Sequence, residues 1–426
     1  MRDMPWDAVT DMLCMWVARR HMRGIVRHVP IAAHALRRYC VDFAISPRQR
    51  ELCAETVRFA RQELGGRTDE SDRSGSLDTE GWRKAAEFGA LGWPVPREHG
   101  GSGFDPLTSA LAFEALGYGC SNNGLLFAIN NHVWACAIYL VKHGTGRQKA
   151  RWLPELCRGA VVGAHALTEP QAGSDMLALA ATAHRDGSGW VLNGTKTFIS
   201  NGSCADLFVT FARTSESEGS ERALSAFLVP ADAPGVRVTR ELEKAGLRGA
   251  PMGEIQFSDV RLDADQLLGR EGAGYQIFTS TIEWERGFLF ASGVGTMRRL
   301  LETCVEHAAK REQFDRPIGS FQAVSHTLAD MRIRLELAQL TLYKFGWLKR
   351  EGRLAMLESS ILKLVVSEGL LETALEAVQL HGARGYLTEG GIEREVRDAL
   401  AGTIYGGTSQ IQRSIIASLL GLPGAP

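Results

Sequence analysis

The feature that most constrains the fold is a change of periodicity along the chain. Between residues 160 and 270 the sequence runs in short apolar stretches bounded by turn residues, and on either side it runs in threes and fours. Val161 to Leu167 reads as a strand that leads into Pro170, a residue unable to continue a central ladder. Trp190-Val191-Leu192 and Thr195 to Ile199 flank Asn193-Gly194, which predicts a hairpin. Leu207 to Ala212, Ala223 to Val229 and Glu254 to Phe257 add strands. After Gly274 the helical spacing is sustained, as in Phe290, Val294, Met297, Leu301, Cys304 and Ala308, and again in Leu328, Met331, Leu335, Ala338 and Leu342. Leu354 to His381, Gly391 to Leu400 and Thr408 to Leu419 complete a bundle of long helices with short connections. The expected fold class is α+β: a helical domain over 41–159, a β barrel or sandwich over 160–274, and a helical bundle over 275–426.

Within the first domain, Ser46 to Leu64 predicts a helix stopped by Gly65-Gly66, and the polar stretch Arg67 to Ser76 reads as a surface loop. Further helices are expected over Leu77 to Gly89, Leu107 to Leu116, Asn123 to His143 and Arg147 to Cys157. Residues 1–40 are Arg-rich and Lys-free, with Trp6 and Trp16, and read as a loosely packed arm. Their apolar stretch, Met12 to Ala18, is too short for a secretory signal.

With 426 residues, 45% of them apolar, the chain can bury several cores. A net charge of −1 argues against nucleic acid or an anionic membrane as the main partner. No apolar run reaches the roughly 18 residues of a membrane span. The 8 cysteines include no C-x-x-C spacing and no neighbouring histidine pattern, so neither a metal site nor a disulfide framework is signalled. A reducing, cytoplasmic setting is expected.

Two segments carry chemistry. Ala166-Leu167-Thr168-Glu169-Pro170-Gln171-Ala172-Gly173-Ser174-Asp175 ends a strand in a turn of small residues and hydroxyls, suited to a flat polar heterocycle against the backbone; an ordinary Asp-terminated loop is the alternative. Glu283-Trp284-Glu285-Arg286 lies in a helix whose Trp284, Phe288, Leu289, Phe290, Ala291 and Val294 point in every direction, so it is buried all round. Adjacent Glu285 and Arg286 cannot pair across a helix face, where partners sit three or four apart.

Taken in order with Lys196-Thr197-Phe198-Ile199-Ser200 and four later segments, these residues resemble the acyl-CoA dehydrogenase family from about Val41 to Leu422. The resemblance implies FAD, with Leu167 and Thr168 at one edge of the flavin and Phe198, Ile199 and Ser200 on its other side. It implies Ser174 beside the pantetheine arm of a thioester. Arg311 and Gln313 would hold the FAD diphosphate of a neighbouring subunit, with Gln322 close by. Gln379, Gly382 and Ala383 would approach the adenosine, and Thr408 and Gln410 the flavin of their own subunit. Sharing FAD between chains implies a homo-oligomer, a dimer or dimer of dimers, and the electron acceptor would be an electron-transfer flavoprotein or oxygen.

Most members of that family carry the catalytic carboxylate in a Tyr-Glu-Gly-Thr segment, where this chain has Tyr405-Gly406-Gly407-Thr408. Gly406 alone would fit an inactive homologue. A subset of the family carries its base immediately before an arginine on the helix opening the last domain, and Glu285 stands there, followed by Arg286. An active dehydrogenase is therefore expected, with Glu285 as base and with Arg286, Gly406 and Ser174 on the substrate.

The chain is most similar to members acting on groups tethered to carrier proteins, such as prolyl carrier-protein dehydrogenases of pyrrole biosynthesis, through Trp284-Glu285-Arg286, Pro317-Ile318-Gly319 and Gln322-Ala323-Val324-Ser325-His326. The implied substrate is an acyl or aminoacyl thioester on a carrier protein in secondary metabolism. A short or branched acyl-CoA is the alternative, since both share pantetheine. Two other readings stand beside these: an oxygen-using flavin enzyme on the same fold, and a flavin-free structural homologue.

Overall fold

The computed structural model describes residues 44–215 and 220–422. The expected arm at 1–40 lies outside the described residues. The first part is helical: α1 (Pro47–Glu63), α2 (Thr68–Ser74), α3 (Thr79–Glu87), α4 (Pro106–Gly119), α5 (Asn123–His132), α6 (Ile138–His143) and α7 (Gly146–Cys157). A capping box starts α1: the Ser46 hydroxyl accepts from Gln49 N–H while the Gln49 side chain accepts from Ser46 N–H, and Pro47 opens the first turn. The expected loop at Arg67 to Ser76 is instead largely α2. Its support comes from far along the chain, where Arg394 pairs with Asp69 at 2.6 Å and Arg397 with Asp72 at 2.7 Å, which its own polar composition could not reveal.

A π-helical turn, Val133–Ala137, joins α5 to α6 with all five residues buried. Contrary to the expectation that no run is long enough, Asn123–His143 is long and apolar enough to cross a membrane, but 94% of its apolar window is buried inside the protein. It is a core helix here.

The strands β1 (Gly163–Ala166), β2 (Thr182–Asp186), β3 (Gly189–Ser200), β4 (Leu207–Arg213), β5 (Leu224–Pro230), β6 (Val236–Glu241), β7 (Met252–Leu262) and β8 (Leu267–Leu268) form one sheet in the order β6-β7-β3-β2-β4-β5-β8, with β1 parallel to β4. Trp190, Leu192, Phe208, Phe227, Val229, Ile255, Phe257 and Val260 interdigitate in its core. The hairpin expected at Asn193-Gly194 is absent, because β3 runs straight through it with a bulge. Gly194 is needed for a close approach: a Cβ there would lie 2.5 Å from the Ala181 Cβ. The true hairpin joins β2 to β3 at Gly187.

The last part comprises α8 (Gly274–Phe288), α9 (Ala291–Lys310), β9 (Glu312–Gln313), β10 (Arg316–Pro317), α10 (Gln322–Arg350), α11 (Met356–His381), α12 (Ala383–Tyr386), α13 (Ile392–Leu400) and α14 (Ser409–Leu419). Helices α9, α10 and α11 pack on one another, and α4 of the first domain joins them. Buried Glu114 of α4 fixes that junction by accepting from Gln339 at 2.6 Å and Tyr343 at 2.7 Å, four residues apart on α10. Helix α8 touches α6, α10, α11 and β5, so it runs where all three parts meet.

Candidate active site

The two acidic residues near the end of α8 have opposite fates. Glu283 is 3% exposed and satisfied, since its Oε1 pairs with Lys349 and accepts from the Ala355 N–H at 2.9 Å. Glu285 is 8% exposed, and its Oε2 is shut off from solvent without a hydrogen-bond partner. Burial pushes its pKa up to about 7, against a smaller downward pull from Arg286. A buried carboxylate normally finds partners, so one left open at such a pKa is suited to general-base work near neutral pH.

Arg286 turns the other way. Its Nε donates to the Gly406 carbonyl at 2.9 Å, and Nη1 reaches the Met356 sulfur at 3.7 Å. Gln412 of α14 gives the same carbonyl a second bond at 3.0 Å. The loop between α13 and α14 is thus tied to α8 beside the free carboxylate. Gly406 has φ +65°, and a Cβ there would meet only the Arg286 Cγ, at 3.9 Å. The backbone conformation disfavours a side chain while the space does not. Thr408 accepts the Ile411 N–H at 3.3 Å and so caps α14, while Gln410 is exposed on its first turn.

Across from α8, β1 leads into Leu167 and Thr168, and a buried ion pair holds that turn. Lys196 Nζ lies 2.7 Å from Glu169 Oε1 and 3.1 Å from the Leu167 carbonyl, while Glu169 also accepts from the Ala180 and Ala181 N–H groups. Thr168 accepts the Thr197 N–H at 2.9 Å. The segments around 168 and 197 are therefore one surface. Phe198 follows with φ +59° at a second bulge of β3 and is 60% exposed, its ring turned out of the sheet as a flat apolar wall. The Ile199 side chain faces the core of the β domain, so only its backbone can line a site. Ser200 gives its carbonyl to Asn131 at 3.3 Å, and Ser174 is exposed on the turn after Pro170.

Of the residues expected near diphosphate and adenosine, Arg311 lies in a cleft on another face. An open cleft of about 550 Å³ joins the end of α9 to the end of α11, with His307, Lys310, Arg311, His381 and Arg384 on its walls. The rings of His307 and His381 stack at 4.1 Å. Neither Arg311 nor Arg384 has a carboxylate partner among the described residues. Burial, then the nearby His381, Arg311 and Arg384, push the His307 pKa down. Glu306, paired with Lys310, and Glu312 also line the cleft, so Arg311 and Arg384 are the cations there left open to a diphosphate. Gln379, Gly382 and Ala383 are exposed at the same end of α11, and Gln313 is exposed on β9 after Arg311. Gln322 is exposed at the start of α10.

Sequence reasoning missed His165, whose Nδ1 lies 3.9 Å from Glu285 Oε2, and Tyr139, which stacks on His165. The available signal was a lone ionisable residue inside the apolar run Val161 to Leu167. It also missed the Glu169–Lys196 pair, although both residues lay within the segments singled out.

An orphan carboxylate on a bundle helix, a flat wall on a β domain and a cationic cleft between helix ends define a protein of the acyl-CoA dehydrogenase family, and this chain belongs to it. Its residues 46–160, 164–260 and 272–421 match the N-terminal, middle and C-terminal domain models of that family. It is 40% identical over 384 residues to the L-prolyl-[peptidyl-carrier protein] dehydrogenase of Pseudomonas fluorescens, covering 90% of this chain and 100% of that one. Among solved structures it is similar to the prolyl acyl carrier protein oxidase AnaB, with 44% identity, a TM-score of 0.87 and coverage of 89% of this chain and 100% of AnaB. It is also similar to PigA with FAD and proline, with 38% identity, a TM-score of 0.87 and coverage of 90% and 100%.

Proposed function

We propose that this protein is an FAD-dependent dehydrogenase acting on an acyl or aminoacyl thioester held by a carrier protein in secondary-metabolite biosynthesis, with Glu285 as its catalytic base. The observation that carries the reading is the partnerless Oε2 of Glu285, buried beside a loop that has glycine where most of the family has glutamate. Identity to carrier-protein enzymes at 38–44% supports the substrate class.

Glu285 removes a proton from the carbon next to the thioester carbonyl, and a double bond forms to the next carbon. FAD, when bound, supplies the acceptor for the hydride that leaves that second carbon. Arg286 holds the Gly406 loop against α8, which fixes the wall facing the carboxylate. Leu167, Thr168, Ser200, Thr408 and Gln410 would border the flavin with Phe198 over its face, Ile199 adding backbone only, while Ser174 would meet the pantetheine arm. The cationic cleft with Arg311, joined by Gln313, Gln322, Gln379, Gly382 and Ala383, would receive the diphosphate and adenosine of a second subunit's FAD. Exposed Ile333, Leu337 and Leu340, spaced along one stripe of α10, support a homo-oligomer, a dimer or dimer of dimers. Division at 159/160 and 274/275 is supported by the bounds of the three matching domain models. An electron-transfer flavoprotein or oxygen would reoxidise the enzyme in the cytoplasm.

The test is anaerobic bleaching of the bound flavin by one acyl or aminoacyl group presented on a carrier protein and on CoA. The carrier-protein thioester should react much faster. Equal rates, or a preference for CoA, would return the protein to short or branched acyl-CoA metabolism.

A further inference from the structure

We propose that His165 is a positioning residue for Glu285, its Nδ1 edge taking hold of Oε2 so that Oε1 is turned to the substrate. The inference rests on the reading of Glu285 as base and adds how that base is aimed. His165 Nδ1 and Glu285 Oε2 are 3.9 Å apart, a gap that a small rotation of the glutamate or one bridging water closes. Both side chains otherwise lack partners: Oε2 and His165 Nε2 are buried without hydrogen bonds. The histidine is the fixed member. Its backbone is paired to Val209 in the sheet, and its ring is stacked on Tyr139 at 4.9 Å, met edge-on by Phe211 at 5.5 Å and faced by Phe278 at 6.4 Å.

The pair is not an ion pair. Burial, aided by Lys196, pushes the His165 pKa down to about 3, so the ring stays neutral wherever the enzyme would work. A neutral imidazole offers N–H to the ionised carboxylate and, in its other tautomer, a lone pair to the carboxylic acid. It can therefore hold Glu285 both before and after proton transfer. Arg286 on α8 and Tyr139 on α6 are the other ionisable groups facing Glu285. Arg286 is committed to Gly406 and Met356, and the phenol of Tyr139 is kept neutral by burial. Farther out, Lys196 lies toward His165, Cys136 toward Tyr139 and Lys363 toward Arg286. His143 bonds Thr281, and Lys142 and Lys349 lie over Trp284. The Tyr139 hydroxyl, also buried without a partner, is the other neutral donor near Glu285, and its ring is stacked on His165.

The experiment compares wild type, His165→Phe, His165→Asn and Glu285→Gln as FAD-loaded proteins. With His165→Phe the carboxylate loses its donor, so the rising limb of the pH profile for flavin reduction should move up by about one pH unit and the rate at pH 7 should fall about fivefold. Asn presents an amide N–H near the Nδ1 position and should recover most of both, with FAD content unchanged throughout. A His165→Phe protein with full FAD and the wild-type profile overturns the inference. A second readout needs no turnover: in 15N-histidine spectra of the wild type, the His165 signal should follow the titration of Glu285 and lose that response in Glu285→Gln. A signal indifferent to Glu285 overturns the inference even if His165→Phe does not fold. Should Glu285→Gln itself reduce flavin at the wild-type rate, the reading beneath it fails; if only the His165 variants behave as wild type, only this inference does.

Discussion

Arg286 and Gly406 are joined by one hydrogen bond, Nε to carbonyl at 2.9 Å, across 120 residues of sequence. The bond explains how adjacent charges can share a buried helix without pairing. Arg286 sends Nε into the glycine loop and Nη1 to Met356, and leaves Glu285 unclaimed. A charge-assisted bond of this kind contributes about 1.5–3 kcal/mol.

Replacing Glu285 by Gln keeps the volume but removes the proton acceptor. FAD content should be normal, and flavin reduction by the preferred thioester should slow by about 10²–10⁴, or roughly 3–5 kcal/mol of barrier. Rapid-mixing absorbance under anaerobic conditions measures it, and a wild-type rate would sink the assignment.

The same substitution should raise stability in a pH-dependent way. The folded pKa of Glu285 is raised to about 7, above its ordinary value of 4.5, so ionisation costs more in the fold than in the unfolded chain. Wild-type stability is therefore lost as pH rises from about 4.5 through 7, and the loss is constant above that. Glu285→Gln should match wild type near pH 4.5 and exceed it by up to about 3 kcal/mol above pH 7. Denaturant melts at several pH values check the slope.

Arg311→Ala removes a guanidinium from the cationic cleft. The protein should purify pale and with weakened assembly, because the cleft is read as closing over a partner's FAD. Flavin absorbance and sedimentation decide this, and full FAD with full assembly would reject the role.

Lys196→Met breaks a pair in which both members are buried, leaving Glu169 with its N–H donors but no cation. A loss of about 3–5 kcal/mol is expected, together with weaker FAD retention, because the Leu167–Thr168 turn loses its clamp. Melting with and without added FAD separates the two effects.

Much of this was legible in sequence because it is local. Burial all round the end of α8 follows from residues 284–294, and it places Glu285 in a dry setting. The helix–sheet–helix order followed from periodicity. What escaped depended on distant partners. Asn193-Gly194 looks like a turn, yet its glycine exists to let Ala181 approach. Residues 67–76 look like a loop, yet Arg394 and Arg397 hold them helical. His165 reads as one polar residue in a strand, and nothing near it in sequence announces Glu285, 120 positions on.

The π turn at Val133–Ala137 acts as a phase shifter. A regular α-helix advances about 100° per residue, and a π turn inserts one residue's worth of rotation into an otherwise continuous rod. The stretch before it presents His132 to Leu156 and Gly163, and the stretch after it presents Tyr139 to His165. Shortening the chain there by one residue would leave a smooth helix and swing Tyr139 off the imidazole. The orientation of the base is thus set partly by a register choice made in a different domain.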